Sequence, residues 1–169
     1  MARSARRSAE IEDFLQSVSP RLFRTALLLC GDWHLAEDLV QTTLGKAFVS
    51  WRKVSKADSP HAYVRTILTR TYFSYVRLHR TYERPMGELP EQPAAAQDPA
   101  LRLALTQALA TLSPQDRAVV VFRYWEDRTV AQTAAELGMS AANVRIRSMR
   151  ALSRLRTSLD GEQDALAGR

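Results

Sequence analysis

Arginine is the residue type with the clearest capacity for binding chemistry, because it is concentrated in one predicted helix. Between Val144 and Asp160 the sequence has no acidic residue but contains five arginines: Arg145, Arg147, Arg150, Arg154 and Arg156. Since no acid precedes Asp160, the arginines before Arg156 cannot be neutralised by i,i+4 pairing within their own helix. The segment therefore predicts binding of an external anion, and a merely solvated basic face is the alternative.

The residues before these arginines have the spacing of a helix-turn-helix. Thr129 and Gln132 are placed to form a capping box at the start of one helix, and Gly138 supplies the positive φ that ends it. Ser140 then caps the second helix, which carries the arginines. In DNA-binding proteins of this layout the second helix enters the major groove. Motif and charge together favour DNA binding over an αα-hairpin that only packs.

The second helix has an inward and an outward face, since residues three, four and seven positions apart share a side. The inward face is predicted to comprise Val144, Ser148, Ala151, Leu152 and Leu155. On the outward face, an arginine fork matches two guanine acceptors and an apolar side chain can touch a thymine methyl. The predicted DNA contacts are Arg145, Ile146, Met149 and Arg150 for bases, Arg147 and Arg154 for phosphates, with Ser140 and Asn143 beside them.

A second predicted helix, from His61 to Tyr82, interleaves aromatic and basic side chains. Rings beside cations suit single-stranded or opened DNA, because bases stack on rings while arginines hold the backbone. The alternative is that Tyr63, Ile67, Tyr75 and Val76 pack in a core while the arginines are only solvated. The predicted contacts with such DNA are Arg65, Arg70, Phe73 and Arg77, joined by Lys53, Ser55 and Lys56 from the polar loop before the helix.

Composition supports a nucleic-acid partner. The 169 residues are 46% apolar, and the net charge of +6 with a pI near 10 favours polyanions. The longest apolar stretches, such as Ala26 to Cys30, are far too short to span a bilayer, and no apolar run follows the basic N-terminus. The single cysteine excludes an internal disulfide and gives no zinc site. We therefore expect a cytoplasmic protein with no membrane partner.

Catalytic constellations are missing from the sequence. The adjacent acids Glu37 and Asp38 have no accompanying pocket residues, and His34, His61 and His79 lack metal-binding spacing. The glycines are scattered and form no phosphate-cradling loop. The prediction is a protein that is not an enzyme and needs no cofactor or metal.

Apolar residues recur at helical spacing throughout, which predicts an all-α fold of two small helical domains. An acidic linker rich in Pro and Ala is predicted over 83–100, between domains at 1–82 and 101–160, with a tail at 161–169. We expect helices from Ile11 to Cys30, with a break near Pro20, from Asp32 to Trp51, and from Ser59-Pro60 to about Arg80. The second domain adds Leu101 to Leu112 and a helix opened by a capping box at Ser113 and Asp116. Gly45 is interpreted as marking a close helix contact.

Several strings in this pattern resemble bacterial RNA polymerase sigma factors of the compact, two-domain, extracytoplasmic-function family. The resemblance covers roughly Leu15 to Leu155, nearly the full chain. Ala36-Glu37-Asp38-Leu39-Val40-Gln41 resembles the segment that binds the coiled-coil clamp of the largest polymerase subunit. Tyr63-Val64-Arg65 through Ser74-Tyr75 resembles the helix that recognises the minus-ten element. Leu112 to Ala118 with Arg123 to Asp127 resembles the start of the minus-thirty-five domain, especially in an actinobacterial subgroup.

The resemblance implies an alternative sigma factor, monomeric when free, whose partners are promoter DNA and the clamp helices and flap region of core RNA polymerase. An anti-sigma factor is a further candidate partner, because the family is commonly restrained that way. Arg70 and Ile146 stand where relatives often have asparagine and serine, which implies an altered promoter preference. A stand-alone helix-turn-helix regulator and a polymerase-binding decoy are the alternatives. The implied polymerase-binding residues are Glu37, Asp38, Gln41, Leu44 and Phe48.

Overall fold

A computed structural model describes residues 2–79 and 99–167, with side chains over 6–79 and 102–161. Within those ranges all regular structure is helical, and the predicted all-α class is confirmed. Residues 83–98 of the predicted linker lie outside the described residues. Its last two positions, 99 and 100, belong to a helix that begins at Pro99. The α-helices are α1 (Ala2–Cys30), α2 (Trp33–Val49), α3 (Trp51–Val54), α4 (Pro60–Leu78), α5 (Pro99–Ala110), α6 (Pro114–Val120), α7 (Val130–Leu137) and α8 (Ala141–Ala167), with a π-helical turn at Val121–Trp125 after α6.

The first bundle consists of α1, α2, α3 and α4, and its predicted caps are present. The Asp32 carboxylate accepts from the backbone N–H of Leu35 at 2.7 Å, and Ser59 caps α4 ahead of Pro60. The expected break near Pro20 is wrong, since α1 is one helix that continues through this proline despite its missing N–H. The second helix ends at Val49, before Trp51, which instead begins α3.

Apolar faces of α1, α2 and α4 meet in the core of this bundle. The Phe14 ring lies 5.3 Å from the Trp51 ring and 5.2 Å from the His61 ring, so α1 contacts both α3 and α4. Gly45 was expected at a close helix contact, but a Cβ added there would meet nothing within 4 Å. That interpretation is wrong, because Gly45 lies on the exposed side of α2. The buried core residues include Ile11, Val18, Leu22, Ala26, Leu29, Ala36, Leu39, Val40, Ala47, Trp51, Val54, Val64, Leu68 and Tyr72.

The second bundle consists of α5, α6, the π-helical turn, α7 and α8, and its last two helices form the predicted helix-turn-helix. Both bonds of the capping box between Thr129 and Gln132 are made, at 3.1 and 3.0 Å, and Gly138 has φ +65°. These local predictions are confirmed. At the start of α6 only half of the predicted box forms, because Ser113 accepts from the Asp116 N–H while the Asp116 carboxylate binds Arg147.

The two bundles pack against each other. Phe122, which is fully buried, lies with Ala118 and Val121 in the apolar cluster formed by α1, α2 and α4. Leu28 of α1 packs in return against the cluster beneath α5 and α8. The Arg117 guanidinium also donates to the backbone carbonyl of Leu29, at 2.9 Å. The two bundles therefore lie in a closed arrangement, in which both apolar and polar contacts join them.

Candidate nucleic-acid interface

The outward face of α8 presents all four of its predicted base-reading residues to solvent. Arg145 and Arg150 are exposed, and so are Ile146 at 45% and Met149 at 67% of their surfaces. Neither apolar side chain belongs to the buried core, and their exposed parts can contact thymine methyls in a groove. The predicted inward face is buried at Val144, Ser148, Ala151 and Leu155, whereas Leu152 is 37% exposed. The prediction for Leu152 is wrong, because it lies just off the buried stripe.

Arg147 is already held by neighbours in its own bundle. Its Nη1 lies 2.6 Å from an Asp116 carboxylate oxygen, and its Nε donates to the Asn143 side-chain oxygen at 3.1 Å. The pair ties the start of α8 to the first turn of α6, which fixes the orientation of α8. Sequence reasoning missed Asp116 as a partner, since residues 31 positions apart leave no local signal. Phosphate contact by Arg147 stays a prediction, as do contacts by Ser140, Asn143 and Arg154, which are all exposed.

The loop before α4 and the outer side of α4 form a second basic surface. Lys53, Ser55 and Lys56 are exposed around the end of α3, and Arg70 and Arg77 are exposed on α4. Phe73 is half-buried, with its ring 5.5 Å from that of Tyr72. Part of α4 packs against the core, as the alternative interpretation predicted. The residues concerned are Tyr63, Ile67, Tyr75 and Val76, which are partly buried.

Arg65 is placed very differently from Arg70. It is only 7% exposed, and its guanidinium makes a bidentate pair with Glu136 of α7, with N–O distances of 3.0 and 3.1 Å. Its Nη1 also lies 3.9 Å from the carboxylate of Glu126, which is fully buried. Glu126 in turn accepts from the Thr25 hydroxyl at 2.5 Å and from the Arg21 Nε at 3.0 Å. In this arrangement Glu126 and Glu136 of the second bundle both face cations of the first.

The π-helical turn explains how Glu126 reaches the first bundle. The Glu126 N–H donates to the Val121 carbonyl at 3.0 Å, a five-residue step that rotates the following side chains relative to an α-helix. Asp127 then takes the left-handed region with φ +51°, and Arg128 Nε donates to the Glu126 carbonyl at 2.9 Å. The turn leaves Tyr124 and Trp125 exposed and directs Glu126 inward. No sequence pattern predicted this π-helical turn, because its hydrogen bonds depend on the packing around it.

The outer face of α2 carries the side chains implied in polymerase binding. Glu37, Asp38 and Gln41 are exposed, and Phe48 is 53% exposed near the end of the helix. Leu44 is half-buried and packs against the core. The neighbouring Val49, which sequence reasoning did not single out, is 86% exposed and extends the apolar end of this face. The buried face of the same helix comprises Ala36, Leu39, Val40, Thr43 and Ala47.

Two buried groups have shifted protonation equilibria. Burial raises the pKa of the Cys30 thiol to about 11, and burial raises the pKa of the Tyr72 hydroxyl to about 12. Both groups are therefore neutral at physiological pH, which suits a structural role. In the part of the chain that the structure describes, no three His, Cys, Asp or Glu side chains group as a metal site. None of the helices over the same residues is long and apolar enough to cross a membrane.

Comparison with known proteins gives a consistent result. Residues 14–81 match the family described as sigma-70 region 2, and residues 102–155 match the one described as sigma-70, region 4. The RNA polymerase sigma-E factor of Streptomyces coelicolor is 36% identical over 152 residues, covering 89% of this chain and 86% of that protein. The ECF RNA polymerase sigma factor SigL of Mycobacterium tuberculosis is 32% identical over 148 residues, covering 82% of each chain.

A solved structure has the same fold. Sigma factor RpoE of Bartonella quintana, in complex with the anti-sigma factor NepR, superimposes with a TM-score of 0.77 and 26% identity, over 89% of this chain and 97% of that one. Both halves of the chain thus match sigma-factor regions. The exposed arginine helix and the exposed α2 face lie within those two matched regions. The chain belongs to the extracytoplasmic-function family of bacterial RNA polymerase sigma factors.

Proposed function

We propose that this chain is an alternative sigma factor that binds core RNA polymerase and directs initiation at promoters with its own minus-ten and minus-thirty-five elements. The observation that carries the proposal is the presence, in one chain, of a region 2 match and a region 4 match, each with an exposed candidate surface. The working division is 1–82 for polymerase docking and the minus-ten element, 83–100 as linker, and 101–160 for the minus-thirty-five element.

Polymerase docking is assigned to the outer face of α2. Asp38 and Gln41 offer exposed polar groups for a partner helix, and Phe48 adds apolar area at the end of the same face. Aromatic anchors within a polar rim are typical of protein interfaces. Glu37 supplements the charge of this face, while half-buried Leu44 supports it from below.

Promoter recognition is assigned to two helices. Arg145 and Arg150 of α8 read base edges of the minus-thirty-five element, with Ile146 and Met149 touching thymine methyls. The exposed groups around α4, including Lys53, Lys56, Arg70, Phe73 and Arg77, capture the opened minus-ten element through phosphate contacts and stacking. Arg65 joins them only when it is released from its present partners.

The remaining assignments follow from the family. The protein acts as a regulatory subunit and not as a catalyst, works in the cytoplasm beside polymerase, and needs no cofactor. The related RpoE structure contains an anti-sigma factor, and we extend this to the present chain as a regulatory partner. Its free form is expected to be a monomer.

Run-off transcription of fragmented genomic DNA with core polymerase tests the proposal. Adding the chain should produce a small set of discrete new transcripts, each dependent on an upstream and a downstream element at fixed spacing. The matched control is the Asp38→Arg chain, which should produce none of them. A chain that leaves transcription unchanged and binds duplex DNA as a dimer would instead be an ordinary helix-turn-helix regulator.

A further inference from the structure

Asn143 lies in the first turn of α8, at the end of the helix that carries the predicted base contacts. It shares a face with Ile146 and Arg150, because residues three and seven positions apart lie on one side of a helix. Asn143 is exposed, and its backbone N–H donates to the capping Ser140 hydroxyl at 3.1 Å. The N-terminal turn of such a helix enters the major groove. The Asn143 side chain is therefore placed to contact a base edge.

The orientation of the Asn143 carboxamide is set by its neighbour one turn further along α8. A guanidinium has only donors and no acceptor. The amide atom that lies 3.1 Å from the Arg147 Nε must therefore be the oxygen, Oδ1, and not the nitrogen. This bond engages the acceptor of the amide. The two hydrogens on Nδ2 are then the groups that Asn143 offers to a ligand.

Arg147 is held in turn by a second helix. Its Nη1 lies 2.6 Å from a carboxylate oxygen of Asp116, in the first turn of α6. The Arg147 and Asp116 side chains are only 27% and 16% exposed, so solvent screens their attraction incompletely. A short hydrogen bond between two charged groups is among the stronger ones in proteins. Asp116 therefore fixes the guanidinium that orients Asn143.

This chain of hydrogen bonds changes which base suits Asn143. An unrestrained asparagine contacts adenine with both groups, since it accepts from the adenine N6 amino group and donates to N7. Here Arg147 already occupies one lone pair of Oδ1, and its cation lies beside the other. A second donor such as the adenine amino group is disfavoured next to that cation. Guanine N7 and O6 and thymine O4 are acceptors in the major groove, and they match the Nδ2 donors.

We propose that Asp116 and Arg147 are positioning residues, which fix Asn143 as a hydrogen-bond donor and make α8 select guanine or thymine over adenine at the base that Asn143 contacts. This inference rests on the proposed function, because it concerns how the same helix reads the upstream element. Arg147 acts here through Asn143, separately from the base contacts assigned to Arg145 and Arg150.

Run-off transcription by the holoenzyme, from a promoter library with a randomised upstream element, measures the preference at each base pair. Loss of discrimination in the Asn143→Ala variant identifies the pair that Asn143 contacts. At that pair the wild type should use guanine or thymine at least about fivefold better than adenine, the lower end of discrimination by a good base contact. With Arg147→Met the use of adenine should rise at least about fivefold relative to guanine and thymine, because Asn143 regains its acceptor.

A double-mutant cycle shows whether Arg147 acts through Asn143. When Asn143 is already replaced by Ala, Arg147→Met should no longer change the preference at this pair. A phosphate contact by Arg147 would weaken binding to all sequences alike, so it does not shift the preference. The matched control, Arg156→Met, removes an exposed arginine from the same helix and should leave the preference unchanged. If Arg147→Met does not fold because Asp116 is left unpaired, Asp116→Asn/Arg147→Met removes that charge and provides the same test.

Several results would overturn the inference. They are a wild type that favours adenine at the pair identified by Asn143→Ala, an Asn143→Ala chain with unchanged preference at every pair, an Arg147→Met chain that keeps the wild-type preference, and an equal shift when Asn143 is already Ala, since Arg147 would then contact the base itself.

Failure of the proposed function gives a different result. A wild type that produces no new transcripts would reject the sigma-factor role. The same library is then offered as duplex DNA to the free chain, and the sequences that it selects report the preference at the Asn143 pair. Selection of guanine or thymine that is lost in Arg147→Met would retain the inference without polymerase. A free chain that selects no sequence would overturn the inference as well.

Discussion

Arg117 is the buried cation on which the stability of the second bundle should depend most strongly. Its guanidinium donates to the carbonyls of Leu109 at 2.8 Å and Leu112 at 3.1 Å, at the end of α5, and to Leu29 at 2.9 Å, near the end of α1. The carbonyls at a helix C-terminus have no intrahelical partners and carry partial negative charge. One side chain therefore satisfies acceptors at the ends of two helices.

Replacement of Arg117 by Met tests this role, because Met has similar length and no donor. Hydrogen bonds that involve a charged group contribute about 1.5 to 3 kcal/mol each, but contributions from one side chain are not additive. Leaving a buried carbonyl without its donor costs about 1 to 3 kcal/mol, and we expect a total loss of about 3 kcal/mol. This would be a large part of the roughly 5 to 15 kcal/mol that stabilises a typical domain.

Urea unfolding followed by circular dichroism at 222 nm measures the effect. The matched control is Arg156→Met on the exposed side of α8, which should change the free energy of unfolding by less than about 0.5 kcal/mol. A loss below about 1 kcal/mol for Arg117→Met would refute the reasoning, because water would then satisfy these carbonyls as well as the guanidinium does.

Three further predictions concern docking, promoter reading and the buried thiol. Asp38→Arg should abolish co-purification with core polymerase, yet leave the melting temperature nearly unchanged, since Asp38 is exposed; a variant that unfolds would show the residue to be structural. Arg145→Ala and Arg150→Ala should each cost about 1 to 3 kcal/mol at one base pair of the upstream element, whereas Arg154→Ala should weaken all sequences alike and reduce the salt dependence; equal effects on randomised elements would contradict this division. With its pKa raised from 9.0 to about 11, Cys30 should react with a disulfide reagent at pH 8 about a hundredfold more slowly when folded than in urea. Since the folded pKa is the higher one, the associated stability is full below pH 9 and is lost as the pH rises through 11; comparable thiol reactivity in both states would exclude burial of the thiol.

Local sequence patterns predicted the helices and their ends well. The Asp32 cap, the Ser59-Pro60 start, the box at Thr129 and the positive φ at Gly138 each depend on residues within four positions of one another. Hydrogen bonds that close over so few residues are encoded locally, so they are readable without tertiary information. The break expected near Pro20 is not present. Val18 and Leu22, which lie on either side of Pro20 along α1, are buried in the core, and this packing offsets the loss of one backbone hydrogen bond.

The sequence by itself determined the all-helical class, the helix-turn-helix and the outward arginines of α8, since helical periodicity alone divides a helix into faces. Only the tertiary structure decided the state of Arg65, which the sequence predicts to be a DNA contact and the closed arrangement buries against Glu126 and Glu136. It likewise decided the pairing of Arg147 with Asp116. These partners are separated by 31 to 71 positions, and whether they meet depends on how whole helices pack. Charge and spacing along a chain show which groups can bind an anion. Only the three-dimensional packing decides whether a carboxylate of the same chain already occupies such a group, as it does for Arg65 and Arg147.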